Sequence, residues 1–351
     1  MKSFVALGQS NSILHAGFLN KIKERKAARF LRSALVGASP SVIGPYYMDD
    51  GFFDGADYCL IDTCVVDLTV QKNNSTDLCQ VAQWIEWIGH KCRMNNCQPI
   101  FVLIPVQVHL DHPVMSIYMS VINANRYLYI DVRDLIVSEI AGDEKRISSL
   151  FVDPAHIGPS LVDGLASVIC SFFQLENDTV NLNRTITYCY RDFSVVNLAD
   201  RFPQFECVKY KNSLITFSGI RISKGAEIQL DVGRVLKVHA IYLNAAKSRS
   251  KIRISGDVTL VKNLNLRPYM KTEFEARIVP IRTTVQDRDG RLSITLAEND
   301  ELCDEMTMQE YSEFDGEQCL ELEGILVECG LHVDEYRTFV PSGQWNILTL
   351  S

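Results

Sequence analysis

The chain is expected to pair an α/β domain, built on a parallel sheet, with a following antiparallel β-sandwich. Three observations predict this. The first half alternates short, wholly apolar runs with stretches whose apolar residues recur at three and four. Near residue 175 the helical period ends, and alternating runs separated by turn signals take over. At 351 residues with 47% hydrophobic and 22% charged side chains, the chain is long enough for two packed cores and too apolar to be disordered.

The expected strands of the first half are 4–7, 34–36, 58–63, 100–104 and 127–131. The run Ile100-Phe101-Val102-Leu103-Ile104 is apolar on both faces, as suits a sheet covered on both sides. Between them, 13–31, 78–91 and 114–124 carry helical spacing, with a further helix over 160–173. The second half offers strands at 214–217, 227–232, 238–243, 251–254, 276–280, 291–295 and 320–327. Ser223-Lys224-Gly225 and Asp287-Arg288-Asp289-Gly290 supply turns between them. Seven short strands in this space read as a β-sandwich, with a jelly roll as one version. The domain bounds are expected at 1–175 and 176–351.

A formal charge of −8 gives no overall attraction to nucleic acid or anionic lipid. Lys21, Lys23, Arg25, Lys26, Arg29 and Arg32 form an early basic stretch, and residues 298–335 are acidic; such runs are usually solvated faces. No apolar stretch of roughly 18 residues is present, so no membrane span is expected. The eleven cysteines sit mostly in apolar runs, as in Cys59, Cys64, Cys170 and Cys329, which fits reduced thiols and a cytoplasmic protein. Cys92 and Cys97 lack a second pair for zinc, and no phosphate loop or dinucleotide fingerprint occurs, so neither metal nor cofactor is expected. His109 and His112 are two potential ligands without a third; a loop at the rim of a site suits them better. Trp84 and Trp87 fall on a helical pattern and read as core.

The chemistry lies at two places. Ser3-Phe4-Val5-Ala6-Leu7 breaks into Gly8-Gln9-Ser10-Asn11-Ser12 ahead of a helix. A serine here is either an ordinary helix cap or, with a base, a nucleophile at the carboxyl end of a strand. Far downstream comes Asp153-Pro154-Ala155-His156. Asp153 could cap a helix beginning at Pro154, or it could orient the ring of His156, a residue type suited to act as a base. Tyr46 and Tyr47, after the Gly44-Pro45 turn, read first as surface packing and second as the rim of a ligand pocket.

Together these blocks resemble the SGNH hydrolase superfamily, relatives of the GDSL esterases, over roughly residues 1–175. Gly8-Gln9-Ser10-Asn11 is the variant of the first block found in some carbohydrate O-acetylesterases. Residues 34–39 look like the second block, and 150–169 resemble the fifth. The resemblance implies a flavodoxin-like three-layer domain. It also implies Ser10 as nucleophile, His156 as base, Asp153 as its orienting carboxylate, and the amides of Ser10 and Gly37 as oxyanion donors. Asn11, Tyr46 and Tyr47 would be the substrate-side candidates. The third block departs from the pattern: in Asp62-Thr63-Cys64-Val65-Val66-Asp67, valine stands where the family has an oxyanion asparagine. Asn11, Asn73 and Asn74 are the nearby residues that could replace that donor. The expected function is a serine esterase acting on acyl groups, acetyl above all, of a carbohydrate. The alternatives are an O-acyltransferase of polysaccharide synthesis and a non-catalytic glycan-binding or assembly protein. The sandwich would bind glycan, shape the cleft or join a homo-oligomer.

Overall fold

The computed structural model describes residues 1–14, 16–35, 40–73, 75–140, 143–174, 182–212, 215–231, 233, 235, 237–268, 272–305, 307, 310–311 and 317–340, with backbone alone at 50, 144, 182–190 and 332–340. Two compact units emerge. One comprises Met1–Leu68, Val81–Tyr190 and Val333–Ser351, the other Thr69–Gln80 and Arg191–His332.

In the first unit the elements run β1 (Ser3–Gly8), α1 (Ser10–Ile13), α2 (Phe18–Arg25), β2 (Arg29–Leu35), α3 (Ile43–Tyr47), β3 (Tyr58–Asp62), α4 (Cys64–Lys72), α5 (Leu78–Met94), β4 (Gln98–Leu103), α6 (Pro113–Asn125), β5 (Leu128–Asp131), α7 (Val132–Ile140), β6 (Phe151–Asp153), β7 (His156–Ile157) and α8 (Pro159–Gln174). Strands β1 to β5 form one parallel sheet in the order β2-β1-β3-β4-β5, the flavodoxin-like winding. The order reverses between β1 and β3, so the carboxyl end of β1 is the switch point where open sheets of this kind bind ligands.

Register explains how both sheet faces are covered. Phe4 and Tyr58 are direct partners on β1 and β3, and both rings meet Phe173 of α8, at 5.2 and 5.4 Å. Phe101 is registered with Ile61, one residue out of phase, and so faces the other way, where Tyr118 of α6 meets it at 6.2 Å. Parallel strands need this two-sided cover, and truncating an aromatic at such a site costs about 3–5 kcal/mol. Trp84 is fully buried and Trp87 nearly so, as their helical spacing implies.

The expected helix over 13–31 is corrected. The chain breaks after Ile13, and α2 restarts at Phe18 with Gly17 in the capping position. A Cβ on Gly17 would stand 2.5 Å from the Asn11 carbonyl oxygen, so only glycine allows the two helices this approach. Lys26 closes α2 in the left-handed region (φ 52°), and β2 begins at Arg29. As the sheet's edge strand, β2 leaves Arg29 and Arg32 exposed, which accounts for charge in a run that looked helical.

The second unit contains β8 (Leu182–Asn197), β9 (Glu206–Lys211), β10 (Thr216–Ser223), β11 (Glu227–Asp231), β12 (Lys237–Asn244), β13 (Lys251–Ser255), β14 (Thr259–Asn263), β15 (Ala276–Pro280), β16 (Arg291–Ala297) and β17 (Cys319–Val340), the first and last extending into the other unit. One sheet runs β15-β12-β17-β10-β9, with β8 on β17; the other runs β11-β16-β13-β14. Counted from β10, strands β10, β17, β12 and β15 of the first sheet are first, eighth, third and sixth, and the second sheet is second, seventh, fourth and fifth. That interleaving is a double Greek key, so the sandwich is a jelly roll. Its core joins Ile220, Ile222, Leu320 and Leu322 of one sheet to Ile228, Leu230, Ile252 and Ile294 of the other. The alternation in β11 follows directly: Ile228 and Leu230 are buried while Glu227, Gln229 and Asp231 are exposed.

The acidic stretch is pinned by cations of β13 and β14. Lys251 Nζ donates to the carbonyls of Asn299 and Glu301, Arg253 pairs with the Glu301 carboxylate, and buried Lys262 meets Glu305 at 3.1 Å. Gln80 belongs to this unit and donates to the Ile281 carbonyl at 2.7 Å.

Candidate active site

Gly8 ends β1 between Leu35 of β2 and Asp62 of β3. Ser10 follows as the first residue of α1, partly exposed, where a helical N–H has no partner within the helix. The chain turns tightly here: a Cβ on Gly8 would lie 2.6 Å from Ser12 Oγ.

Its neighbours hold the turn from beneath. Gln9 is 1% exposed; its Nε2 donates to the Thr63 carbonyl and its Oε1 accepts the Val66 N–H at 3.2 Å. The glutamine thus brackets the β3–α4 junction to the β1–α1 junction. It also occupies the backbone donor of Val66, whose side chain has none to offer. Ser12 Oγ donates to Asp62 Oδ2 at 2.7 Å. Asp62 is 1% exposed, and burial pushes its carboxyl up to about 6 against the Ser12 hydroxyl, the Gln9 amide and the charge of His156.

Asp67, the aspartate of the third block, is fully buried. Its Oδ1 accepts the Ser41 N–H at 2.7 Å and the Ser41 hydroxyl at 3.1 Å, and its Oδ2 accepts Tyr118 Oη. Tyr118 in turn meets Thr63 Oγ1 at 2.6 Å. Burial raises the Asp67 carboxyl to about 7, opposed by the Tyr118 and Ser41 hydrogen bonds. The carboxylate therefore fixes the chain at Ser41, just after the segment carrying Gly37. Gly37 itself lies outside the described residues, as does Asn74. Asn73 is exposed and its Nδ2 donates to the Thr69 carbonyl within its own turn.

The Asp153–His156 segment is a tight turn between β6 and β7, and the helix begins only at Pro159. The helix-cap reading with Pro154 in the first helical turn is therefore corrected. Asp153 Oδ1 accepts the amides of Ala155 at 2.8 Å and His156 at 3.0 Å, which folds the turn back on the side chain. Its Oδ2 meets His156 Nδ1 at 2.7 Å. Burial pushes the Asp153 carboxyl up, but the Ala155 amide, the His156 ring and the His156 amide outweigh it and hold it below its ordinary value. An ionised carboxylate only accepts, so Nδ1 carries the proton and Nε2 presents a lone pair. His156 Nε2 is buried and has no hydrogen-bond partner among the described residues, so the expected bond to Ser10 Oγ is not formed in this state. Such bonds are often loose without substrate. Strand β7 nevertheless packs directly against α1.

Two contacts hold that turn. Gln107 N–H donates to the Pro154 carbonyl at 2.9 Å, which places the 105–112 loop, with His109 and His112, beside it. Asn11 reaches it from α1: Nδ2 donates to the Ala155 carbonyl at 3.0 Å and Oδ1 accepts the Ile157 N–H at 3.1 Å. Asn11 is 3% exposed, with its amide oxygen and nitrogen both bonded to the protein. Asn11, expected on the substrate side, is thus held in the frame of the site through both ends of its amide. Its role was not legible because its partners lie 144 and 146 positions away.

His112 Nδ1 caps α6 by accepting the Val114 N–H at 3.2 Å, and its ring lies 6.1 Å from that of His109. Among the described residues no group of three His, Cys, Asp or Glu side chains is placed to hold a metal. Tyr46 and Tyr47 end α3, half-buried, with rings edge-on at 5.2 Å.

No protein-family model matches the chain, and no curated protein matches it by sequence. Its fold does have counterparts. A two-domain esterase (CEX) active on acetylated mannans aligns over 94% of this chain and 91% of its own, at 12% identity and a TM-score of 0.61. The same esterase co-crystallized with mannopentaose aligns over 93% and 92%, at 13% identity and a TM-score of 0.59. An acetyl xylan esterase, AlAXEase, covers 48% of this chain with 98% of its own, at 13% identity and a TM-score of 0.43. In fold, the chain pairs a flavodoxin-like α/β unit with a jelly roll, and it aligns with that two-domain esterase over nearly its whole length.

Proposed function

We propose that this protein is a serine esterase that removes O-acyl groups, acetyl foremost, from a carbohydrate through an acyl-enzyme on Ser10. The observation that carries the reading is the Asp153–His156 pair at 2.7 Å, its outward nitrogen buried and unengaged, on a turn bonded to the residue after Ser10. The shared fold of the acetylmannan esterase supports the substrate class.

In this mechanism His156 Nε2 takes the Ser10 Oγ proton as oxygen attacks the ester carbonyl, and Asp153 stabilises the imidazolium. The oxyanion donors in this reading are the amides of Ser10 and Gly37, the pair that the family resemblance implies. The tetrahedral intermediate then expels the sugar oxygen, which receives the proton from His156. Water, deprotonated by the same nitrogen, attacks the acyl-enzyme and releases the acid, restoring Ser10. With Val66 in place of a side-chain donor, this oxyanion hole is one donor short, a deficit worth about 10²–10³ in rate where such donors have been removed.

Acetate release from acetylated mannan, acetylated xylan and a small aryl acetate tests the reading, with Ser10→Ala beside the parent. Release that needs Ser10 is expected. Equal release by S10A, or none from any substrate, overturns it; binding of glycan without turnover would favour the non-catalytic alternative, for which Val66 speaks. Acyl transfer to an added sugar in preference to water would make the enzyme a transferase.

A further inference from the structure

Asn11 is the one side chain described above that joins the turn of the serine to the turn of the histidine. It sits next to Ser10, and its amide grips the residues on either side of His156: the Ala155 carbonyl at 3.0 Å and the Ile157 N–H at 3.1 Å. The amide is 3% exposed, so water does not compete for these groups. The Asp153 side chain fixes the turn's internal shape through the Ala155 and His156 amides, but all of these groups lie within the turn. The Gln107 N–H adds a hold from the 105–112 loop, away from the serine.

We infer that Asn11 is a positioning residue that sets the distance and angle between Ser10 Oγ and His156 Nε2. The inference rests on the esterase reading for its kinetic consequence, though not for the contact itself. The job requires a donor and an acceptor on one planar group at this reach. Alanine offers neither, and a carboxylate offers two acceptors, one of them facing the Ala155 carbonyl oxygen. A protonated carboxyl, by contrast, has a hydroxyl donor and a carbonyl acceptor in the amide's shape.

A pH-dependent signature follows. Asn11→Asp should be crippled where residue 11 is ionised and should recover as it takes up a proton. The titratable groups around the contact are Asp153 and His156 on the turn and Asp62 at the end of β3, hydrogen-bonded to Ser12. All are present in the parent, so the variant-to-parent ratio cancels their own titration to first order. If the new carboxylate acted only as a charge, it would favour the imidazolium and strip the base at low pH. The ratio would then fall on acidification, the opposite sign.

The test measures kcat and KM on an aryl acetate for the parent, Asn11→Ala and Asn11→Asp from about pH 8 to about pH 5, with thermal unfolding to confirm folding. Expected for N11A is a kcat lowered about 10- to 100-fold with KM little changed, as for an ångström-scale misplacement. Expected for N11D is a ratio to parent that rises as pH falls. Parent-like kcat in N11A, a matching rise in KM, or an N11D ratio that is flat or falls on acidification overturns the inference. Should the parent show no Ser10-dependent activity, the esterase reading fails instead, and amide exchange decides the contact. An Ile157 N–H protected in the parent and unprotected in folded N11A sustains the inference; equal protection overturns it.

Discussion

Asp153→Asn gives a sharp test of how this site makes a base. Asp153 Oδ1 accepts two backbone amides, from Ala155 at 2.8 Å and His156 at 3.0 Å, while Oδ2 meets His156 Nδ1 at 2.7 Å. An asparagine must choose which end faces which partner. Keeping its oxygen on the two amides preserves two hydrogen bonds; flipping would set an NH₂ against two N–H donors. At about 1 kcal/mol per bond the first orientation wins by roughly 2 kcal/mol, before counting the clash of donors. The NH₂ then faces Nδ1, which must accept, so the ring proton moves to Nε2. A protonated Nε2 cannot take the Ser10 proton. The turn stays folded while the base is lost, and the same exchange in a serine triad lowers kcat about 10⁴-fold, or about 5.5 kcal/mol at 1.36 kcal/mol per decade. The assay is kcat on an aryl acetate, with the His156 ring tautomer followed by nitrogen chemical shifts. A D153N variant within about tenfold of the parent, or one with Nδ1 still protonated, would refute this reasoning.

Two further predictions concern the buried carboxylates. Asp62, raised to about 6, carries its negative charge near His156 above that pH. Asp62→Asn removes it, destabilises the imidazolium and should move the acid limb of kcat/KM to lower pH; a limb that stays put or moves up contradicts the assignment. Burial raises the Asp67 carboxyl to about 7, well above its ordinary value of 3.8. The folded state therefore holds a proton that the unfolded state has released, and stability falls as pH rises through this window, by up to about 1.4 kcal/mol per unit. Asp67→Asn should flatten that slope in chemical denaturation across the window, since an amide can still accept from Ser41 and donate to Tyr118; an unchanged slope would show that Asp67 is not its source.

How far the sequence could be read depended on the range of the forces involved. The strand-to-helix turn at Ser10 and the Asp153–His156 contact were legible because each is written within a few residues. The sandwich was legible as alternation, since strands with one buried face, such as β11, write their burial with period two, while the jelly-roll order of its strands is set by pairings distant in sequence. The break at Gly17 was not, because it answers to the Asn11 carbonyl oxygen 2.5 Å from where its Cβ would be, a contact in space. Strand β2 was partly hidden for a different reason: an edge strand can carry exposed arginines that look like a polar helix face. The frame of the site was illegible altogether. Gln9 on Val66, Asp67 on Ser41 and Asn11 on Ile157 are polar bonds closed by the fold, and nothing local announces them.

Labelling with a fluorophosphonate, followed by mass mapping of the adduct, tests the central claim most directly. The reagent reacts far faster with a serine whose proton is removed by a base than with an ordinary hydroxyl, and it needs no knowledge of the sugar. The account predicts a single adduct on Ser10, formed at a rate that rises with pH from about 5 to about 8 and lost in His156→Ala. Failure to label across that pH range, an adduct on another serine, or labelling of Ser10 unaffected by removal of His156 would contradict it.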